Sequence, residues 1–400
     1  MSDTVVLAYS GGLDTSFCIP YLKEQYGFEV VAVTCDIGQE DDFDLARERA
    51  LALGAKEHVL LDLKQEFFER FLAYAIKANA LYEKAYPLHS SMQGYLILEK
   101  IVGIARERGA KTLAHGNSGL GNDQLRYDIP SRILAPDMKI VAPVRDSSMN
   151  RQQEWDYLAE RNLPLPNRPS DNLYSVADNL WGTFRGHVGA ANEPDIVTPK
   201  DVLQLVEHDP KGDENYSCTI GFECGVPVSL DGKKMPGHAV VSSLNSALGD
   251  RGYGAIDYVE SSVFGTKIRQ TVEGPAALAL IHAHEDLERL CLSRRQLSTK
   301  SAIETRWAEY VFDGMWGDPA CRDIEVFVDS TQSTVTGEVT MARRGMSFMP
   351  VARSSPHSLY NPELYSYDES MLDHRSGAAF AEMWGRGTVM AARVRQDLAK

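Results

Sequence analysis

The chain has 400 residues, of which 44% are hydrophobic and 24% are charged, an ordinary composition for a globular protein. A single core rarely grows beyond about 250–300 residues, so this length predicts one large domain or two modest ones. The net charge is −15, and no run of Lys or Arg is long enough to follow a phosphate backbone. This argues against nucleic acid as the main partner, and it means that any bound nucleotide must be held by a local site.

The cysteines and the hydropathy pattern indicate a cytoplasmic protein with reduced thiols. The six cysteines are scattered and include no Cys-x-x-Cys pair, so a zinc site is not expected. Met1-Ser2-Asp3 runs directly into the first apolar segment, which predicts that there is no signal peptide. No apolar stretch reaches about 18 residues, so no transmembrane helix is expected.

The first third of the chain alternates between short apolar runs and amphipathic stretches. The predicted strands are Val5–Tyr9, Val30–Thr34, Glu57–Leu61, Thr112–Ala114 and Lys139–Ala142. The predicted helices are Thr15–Tyr26, 41–53, 65–85, 92–108 and Arg151–Arg161. This alternation predicts an α/β fold with a doubly wound parallel sheet that binds its ligand at the carboxyl ends of the strands.

Beyond a boundary-like linker at Pro164–Pro169, the pattern changes to antiparallel strands and longer helices. The predicted strands are Ser217–Phe222, Val226–Ser229, Tyr258–Val263, Glu325–Asp329, Thr334–Met341 and Ser347–Arg353. The predicted helices are Pro275–Leu290, Lys300–Phe312 and a terminal amphipathic segment, Ser376–Trp384. The sequence therefore predicts domains at 1–165 and 170–370, followed by a helical tail at 371–400.

The segment Val5–Ser16 has the pattern of a phosphate-binding loop. An apolar strand ends in Ser10-Gly11-Gly12, and Asp14-Thr15-Ser16 then begin a helix. Glycines allow a tight turn, and the N-terminus of a helix presents free N–H groups and a positive dipole end. No Lys follows the second glycine, so this is not a Walker A loop. Gly-Gly alone would equally fit an ordinary joint between a strand and a helix.

The full string Ser10-Gly-Gly-Leu-Asp-Thr-Ser16 resembles the pyrophosphate-binding loop of the N-type ATP pyrophosphatases, which cleave ATP to AMP and pyrophosphate. A second glycine-rich loop, from His115 to Arg126, resembles that of the argininosuccinate synthase family. Tyr86-Pro87-Leu88, Asp178–Gly182 and Arg353–Tyr360 extend the resemblance, which covers about residues 4 to 385.

The resemblance implies an ATP-dependent ligase that joins citrulline and aspartate through a citrullyl-AMP intermediate. It implies a nucleotide-binding domain, then an α+β synthetase domain that binds the acceptor and takes part in multimerisation, and a C-terminal oligomerisation helix. ATP with Mg²⁺ on its phosphates is the implied cofactor, no protein metal site is implied, and a homotetramer is the implied assembly. No nucleic acid or membrane partner is implied.

The resemblance also assigns site residues. The ATP-binding residues would be Ala8, Tyr9, Ser10, Gly11, Gly12, Leu13, Asp14, Thr15, Ser16, Cys35 and Gly116. Aspartate would bind Ser118, Asn122 and Asp123, and the catalytic residues would be Asp14 and Asp123. The residues assigned to the acceptor are Tyr86, Ser91, Asn122, Arg126, Ser175, Phe184, Glu260 and Val272. Cys35 fits equally well as a small buried apolar residue without a chemical role.

Several acceptor positions depart from the family pattern. Phe184 stands where Ser is usual, Val272 where Tyr is usual and Gly94 where Arg is usual, and Leu88-His89-Ser90 replaces Leu-Gly-Thr. One explanation is compensation, in which His89, Thr183, Arg185 or His187 supplies the lost contacts. The other is a different ureido, carbamoyl or amide acceptor, and the clustering of polar-to-apolar changes favours this second explanation. Argininosuccinate synthesis remains the simplest function.

Two other classes fit the sequence less well. A tRNA-modifying ATP pyrophosphatase would need a catalytic cysteine pair and a basic face, and the sequence offers neither convincingly. A catalytically silent binding protein would have no need of both an intact Ser10–Ser16 loop and an intact Asn122-Asp123 pair.

Overall fold

A computed structural model describes residues 3–166, 174–187, 202–208, 210, 215–345, 347–364 and 373–398. The end of the predicted linker at Pro169 and the predicted boundaries at 170 and 370–371 lie outside these residues. The chain divides into two compact units, residues 1–357 and 358–400, which we describe separately. Within the described part, no helix is long and apolar enough to cross a membrane.

The N-terminal sheet is parallel and doubly wound, as predicted. Its strands are β1 (Thr4–Ala8), β2 (Glu29–Asp36), β3 (Glu57–Asp62), β4 (Thr112–Ala114) and β5 (Lys139–Val141), in the order β3-β2-β1-β4-β5. The chain winds outward in one direction from β1 to β3 and then in the other from β4 to β5. The loops that follow β1 and β4 therefore border the crevice at the topological switch point.

Helices cover both faces of this sheet. Alternate residues of β1 face opposite sides, so that Val6 and Ala8 belong to one core and Val5 and Leu7 to the other. The helices of this region are Leu13–Tyr26, Phe43–Ala52, Lys64–Lys77 (with a π-helical turn at Phe68–Leu72), His89–Glu107, Asp123–Leu134, Pro143–Ser147 and Arg151–Glu160.

The predicted helix over 65–85 is wrong beyond Lys77. Asn79 has a φ of 43°, and its side chain forms hydrogen bonds with residues about two hundred positions away in the sequence. Its oxygen bonds His284 Nδ1 at 2.7 Å, and its nitrogen donates to Glu288 Oε2 at 2.7 Å. These partly buried tertiary hydrogen bonds override a sequence with good local helix propensity.

Two antiparallel sheets follow. The strands are β6 (Tyr174–Asn179), β7 (Gly182–His187), β8 (Ser217–Glu223), β9 (Val226–Leu230), β10 (Lys233–Lys234), β11 (Ala255–Ser261), β12 (Lys267–Glu273), β13 (Gly337–Arg344) and β14 (Ser347–Ser354). One sheet has the order β10-β9-β8-β13-β14 and the other β11-β12-β7-β6. The larger α+β arrangement agrees with the prediction, although β6, β7, β10 and β12 were not predicted.

The predicted strand Glu325–Asp329 is wrong, because these residues lie within a helix, Pro319–Gln332. Asp318 caps this helix by accepting a hydrogen bond from the N–H of Ala320 at 2.8 Å, and Pro319 occupies its first turn. The other described helices between residue 174 and the end of β14 are Gly237–Gly249, Pro275–Cys291 and Arg294–Phe312.

The second unit consists mainly of one helix, Ser376–Leu398, which is longer than the predicted Ser376–Trp384. None of its residues is buried. Its exposed large apolar side chains include Phe380, Met383 and Trp384.

Candidate active site

A cavity of about 600 Å³ lies at the topological switch point. Ten of the eleven residues predicted to bind ATP line it, and Ser16, which is buried, does not. Further wall residues include Gln39, Asp41, Asp42, Arg49, Gln93, His115, Asn117, Asp123, Tyr127, Arg151, Ser175 and Asp178. The structure thus brings together the ends of β1, β2 and β4 with one edge of the β11-β12-β7-β6 sheet.

The loop after β1 presents the N-terminus of helix Leu13–Tyr26 to the cavity. Gly11 has a φ of +80°, which a glycine adopts without strain. Arg49 Nη1 donates to the carbonyl oxygen of Gly11 at 2.6 Å, and the hydroxyls of Ser10 and Thr15 lie 3.1 Å apart. The free N–H groups of the first helical turn are thereby held in place for an anion.

The loop after β4 lies directly against this helix N-terminus. A Cβ built at Gly116 would lie 2.9 Å from Thr15 Cγ2 and 3.2 Å from the backbone nitrogen of Thr15. Only a glycine permits this close approach. His115 Nε2 lies 2.9 Å from Asp128 Oδ1, and Arg145 Nη1 donates to Asp128 Oδ2 at 3.0 Å. These contacts fix the base of the second loop from outside the cavity.

Cys35 lines the cavity as a neutral thiol. Burial raises its pKa to about 12, so the thiolate required of a nucleophile is absent at neutral pH. This agrees with the interpretation of Cys35 as a small wall residue.

Asp14 lies close to Glu154, a carboxylic acid that was not among the predicted site residues. Glu154 is 1% exposed, and burial together with the nearby Asp14 charge raises its pKa to about 8. Arg151 Nε lies 3.9 Å from Asp14 Oδ1. The protonated form of Glu154 is therefore favoured, beside Asp14 in the first turn of helix Leu13–Tyr26.

This pair predicts a pH-dependent stability. The pKa of Glu154 in the folded protein lies above its ordinary value of 4.5. The contribution of Glu154 to the free energy of unfolding is therefore complete below about pH 4.5 and is lost as the pH rises through about 8. Glu154→Gln, which stays neutral, should therefore gain stability relative to the wild type between pH 5 and pH 8.5. Urea unfolding across this range measures the difference. Glu160→Gln, at an exposed position of the same helix, is the control and should show no such trend.

Of the three residues predicted to bind aspartate, Asp123 lines the cavity, and Asn122 and Ser118 do not. Asp123 lines the cavity and is held by Arg126, whose Nη1 donates to Asp123 Oδ1 at 2.8 Å. Asn122 turns the other way, with its Nδ2 donating to Glu260 Oε1 at 3.0 Å. Ser118 is exposed and does not line the cavity.

Strand register places the four predicted acceptor residues of β6, β7, β11 and β12 on one face of their sheet. Ser175 pairs with Gly186, and Phe184, two residues from Gly186, pairs with Val272. Ile268 lies on the same side as Val272 and pairs with Glu260. Directly paired residues and alternate residues of a strand share a face. Of these four predicted residues, Ser175 lines the cavity.

Aromatic side chains cover this face. The ring of Tyr86 lies 6.1 Å from both Phe184 and Tyr258, and its hydroxyl lies 2.6 Å from Ser90 Oγ. The ring of His89 lies 5.3 Å from Tyr86 and 5.7 Å from Phe184. The buried residues Arg126 and Ser91 complete the predicted set.

The departure at Gly94 has a packing explanation. A Cβ at this position would lie 2.8 Å from the carbonyl oxygen of Arg126, because helices His89–Glu107 and Asp123–Leu134 approach closely here. A side chain as large as Arg would therefore clash with the neighbouring helix.

Of the four residues considered for compensation, two are already engaged. Thr183 Oγ1 donates to Glu273 Oε1 at 2.7 Å, while Arg185 pairs with Asp178 at 2.9 Å and also bonds Gln204. The side chain of His187 lies outside the described part. His89 remains, and neither of its ring nitrogens has a hydrogen-bond partner within the part of the chain that the structure describes.

The functional residues that the sequence analysis missed include Arg49, Glu154 and Gln93. Their positions in helices carry no motif, and Glu154 and Arg49 come near the loop only through tertiary packing. The capping box of helix Arg151–Glu160, formed by Asn150 and Gln153, agrees with the predicted start of that helix at Arg151 but gives no indication of a role for Glu154.

Comparison with known proteins agrees with this geometry. The family model described as "Arginosuccinate synthase N-terminal HUP domain" matches residues 4–164, and "Arginosuccinate synthase C-terminal domain" matches residues 174–391. Relatives named argininosuccinate synthase include that of Rubrobacter xylanophilus, 42% identical over 98% of this chain and 96% of its own length. That of Pyrococcus furiosus is 39% identical over 97% of this chain and 94% of its own length. The chain therefore belongs to the argininosuccinate synthase family of carbon–nitrogen ligases.

Proposed function

We propose that the protein condenses citrulline with aspartate at the expense of ATP, giving argininosuccinate, AMP and pyrophosphate, as in arginine biosynthesis. The observation that carries this proposal is the junction at Ser175, where the cavity of the β1 and β4 loops meets the face bearing Phe184, Glu260 and Val272. A triphosphate and an acceptor bound to these two surfaces would be neighbours. The relatives favour this function over a different acceptor or a tRNA-modifying activity.

The proposed nucleotide site uses the loop Ala8–Ser16, with Cys35 and Gly116 at its walls. The helix N-terminus would hold the phosphates, and Arg49 would keep Gly11 in position. We propose that Mg²⁺ enters with the triphosphate, bound mainly by phosphate oxygens and water. Asp14 and Asp123 are the proposed catalytic residues, and both carboxylates line the cavity.

The proposed chemistry depends on positioning. The ureido oxygen of citrulline would attack the α-phosphorus of ATP and release pyrophosphate, and the aspartate amine would then displace AMP. Both steps need aligned reactants and stabilisation of negative charge more than covalent help from the protein. Asp123 would hold the aspartate ammonium group, with Ser118 and Asn122 near its carboxylates.

The release of AMP and pyrophosphate tests this function directly. The wild-type protein should release both in equal amounts when ATP, Mg²⁺, aspartate and citrulline are all present, and argininosuccinate should accumulate to match. Release that continues without citrulline, or that requires a different ureido or carbamoyl compound, would contradict the proposal.

Asp123→Asn should raise the KM for aspartate at least about tenfold, because a hydrogen bond to a charged group typically contributes about 1.5–3 kcal/mol. The KM for citrulline should change less, since Asn preserves the shape of the side chain. Steady-state kinetics with each substrate varied in turn measures both constants. An equal rise in both would show that Asp123 acts on the whole site rather than on aspartate.

We further propose a cytoplasmic homotetramer, with the division into 1–165, 170–370 and 371–400 described above. The exposed Phe380, Met383 and Trp384 of the terminal helix support a role in assembly. Light scattering of the full chain should give four times the monomer mass, and a monomer would contradict this part of the proposal.

A further inference from the structure

Three buried polar groups around the acceptor face have no hydrogen-bond partner within the described residues. Both ring nitrogens of His89, the Oε1 atom of Gln270 and the Nη2 atom of Arg126 are in this state. The three side chains are 0%, 4% and 5% exposed, respectively. Buried polar groups are nearly always paired in folded proteins, so such a concentration indicates groups that are satisfied by a ligand.

Two of these groups lie near Gly186 of the sheet face: Gln270 lies beside it, and His89 lies beside Phe184, which also approaches it. A Cβ built at Gly186 would lie 3.1 Å from Gln270 Oε1 and 3.5 Å from both Phe184 Cε1 and Ser175 Cβ. The lack of a side chain at Gly186 lets these three side chains pack closely against its backbone. Ser175 also lines the nucleotide cavity, and the Phe184 ring lies 5.7 Å from the ring of His89.

His89 has the character of a neutral hydrogen-bonding group. Burial, with the charges of Arg126 and Arg185, lowers its pKa to about 3. A neutral imidazole offers one N–H donor and one acceptor nitrogen. Arg126 Nη2 adds a charged donor, because the Nη1 and Nε atoms of Arg126 already bond Asp123 and the carbonyl oxygen of Phe312.

Glu260, the anionic residue of this face, is already hydrogen-bonded. Its Oε1 accepts from Asn122 Nδ2 at 3.0 Å, and its Oε2 accepts from the hydroxyl of Tyr258 at 2.8 Å. Gln270 Oε1, which lies beside Gly186, is an acceptor oxygen that has no partner within the described residues.

We propose that His89 and Gln270 are specificity-determining residues that bind the α-amino-acid head of the acceptor. Its carboxylate binds between Arg126 Nη2 and the N–H of His89, and its ammonium group donates to Gln270 Oε1. This arrangement takes over the polar contacts that Phe184 and Val272 do not provide. The inference rests on the proposed function, since it takes the acceptor to be an α-amino acid with a ureido group.

Two variants isolate these contacts with little change in shape. His89→Phe keeps the ring and removes both nitrogens, and Gln270→Met keeps the chain length and removes the amide. His282→Ala, at an exposed position in helix Pro275–Cys291, is the control. Each protein is assayed with citrulline, with its des-amino analogue 5-ureidopentanoate and with citrulline amide, which lacks the carboxylate charge.

We expect both variants to raise the KM for citrulline about tenfold to a hundredfold, with unchanged KM values for ATP and aspartate. His89→Phe should change the KM for citrulline amide little, because the variant and this analogue each remove the contact with the carboxylate. Gln270→Met should change the KM for 5-ureidopentanoate little, because the variant and this analogue each remove the contact with the ammonium group. His89→Phe should not reduce the urea midpoint, because neither removed nitrogen has a partner within the described residues. Gln270→Met also removes the side-chain hydrogen bond to Glu260 and should reduce the midpoint slightly. Additive effects with these analogues, or lowered stability with equal effects on all substrates, would overturn the inference.

Calorimetry of citrulline binding in the presence of α,β-methylene-ATP separates this inference from the proposed function. If citrulline binds and the two variants weaken it, but no AMP forms with ATP, the proposed function fails and the recognition by His89 and Gln270 stands. If citrulline turns over and neither variant affects it selectively, only the inference fails. If the wild type does not bind citrulline, both fail.

Discussion

Gly116→Ala should lower kcat/KM for ATP about a hundredfold while leaving the fold intact. The new Cβ would lie 3.2 Å from the Thr15 backbone nitrogen and 3.3 Å from the Asp14 carbonyl carbon. Both atoms belong to the first turn of helix Leu13–Tyr26, so the clash is relieved by moving the groups that are proposed to align the triphosphate. A misplacement of about 1 Å can cost about a hundredfold in rate.

Steady-state kinetics with ATP varied measures this effect, and circular dichroism verifies the fold. Gly103→Ala is the matched control, because Gly103 lies in the exposed part of helix His89–Glu107 and has no other atom within 4 Å of its Cβ position. This control should keep full activity and gain up to about 1 kcal/mol in stability. Full activity of Gly116→Ala would mean that the two loops separate when ATP binds.

Glu273→Ala should lower the free energy of unfolding by about 3 kcal/mol. Glu273 is 0% exposed, and its carboxylate accepts hydrogen bonds from Thr183 Oγ1 and from three consecutive backbone N–H groups, at Gln204, Leu205 and Val206. Removal of the carboxylate leaves these donors without their acceptor, and each hydrogen bond to a charged group contributes about 1.5–3 kcal/mol. Donors that reach water recover part of this loss.

Urea denaturation measures the loss, with Glu273→Gln as the matched variant. Gln keeps the size of the side chain and one acceptor oxygen, so its loss should be about half as large. Equal losses for Ala and Gln would show that the negative charge, rather than the hydrogen bonds, fixes segment 204–206 on β12.

The N-terminal sheet could be predicted because its information is local. Apolar runs such as Val30–Thr34 are buried on both sides, and glycine-rich turns mark the strand ends. Sequence reasoning failed where distant contacts decide the structure. Asn79 ends a helix because it bonds His284 and Glu288. Glu325 illustrates a different error, since the Asp318-Pro319 start signal was present and was overlooked.

The site could be predicted where backbone chemistry determines it. The glycines at 11 and 116 were identified from their loops, and both line the cavity. The acceptor face was harder to predict, because the register of β7 against β12 depends on strands about 80 residues apart. Gln270 has no motif, and its significance follows only from its position beside Gly186. A hydrogen bond that a residue fails to make cannot be read from a sequence.

Arg126 gives the two proposed substrates a common partner. Its Nη1 donates to Asp123, and its Nε donates to the carbonyl oxygen of Phe312 at the end of helix Arg294–Phe312. Its Nη2 has no partner within the described residues and is the proposed donor to the acceptor. Aspartate bound at Asp123 would change the charge that Asp123 presents to Nη1, and would therefore change how strongly Nη2 binds the acceptor. Thermodynamic linkage requires this effect to be mutual: citrulline would change aspartate binding by the same factor as aspartate changes citrulline binding. The affinity of either substrate measured alone would therefore differ from its affinity when the other is bound.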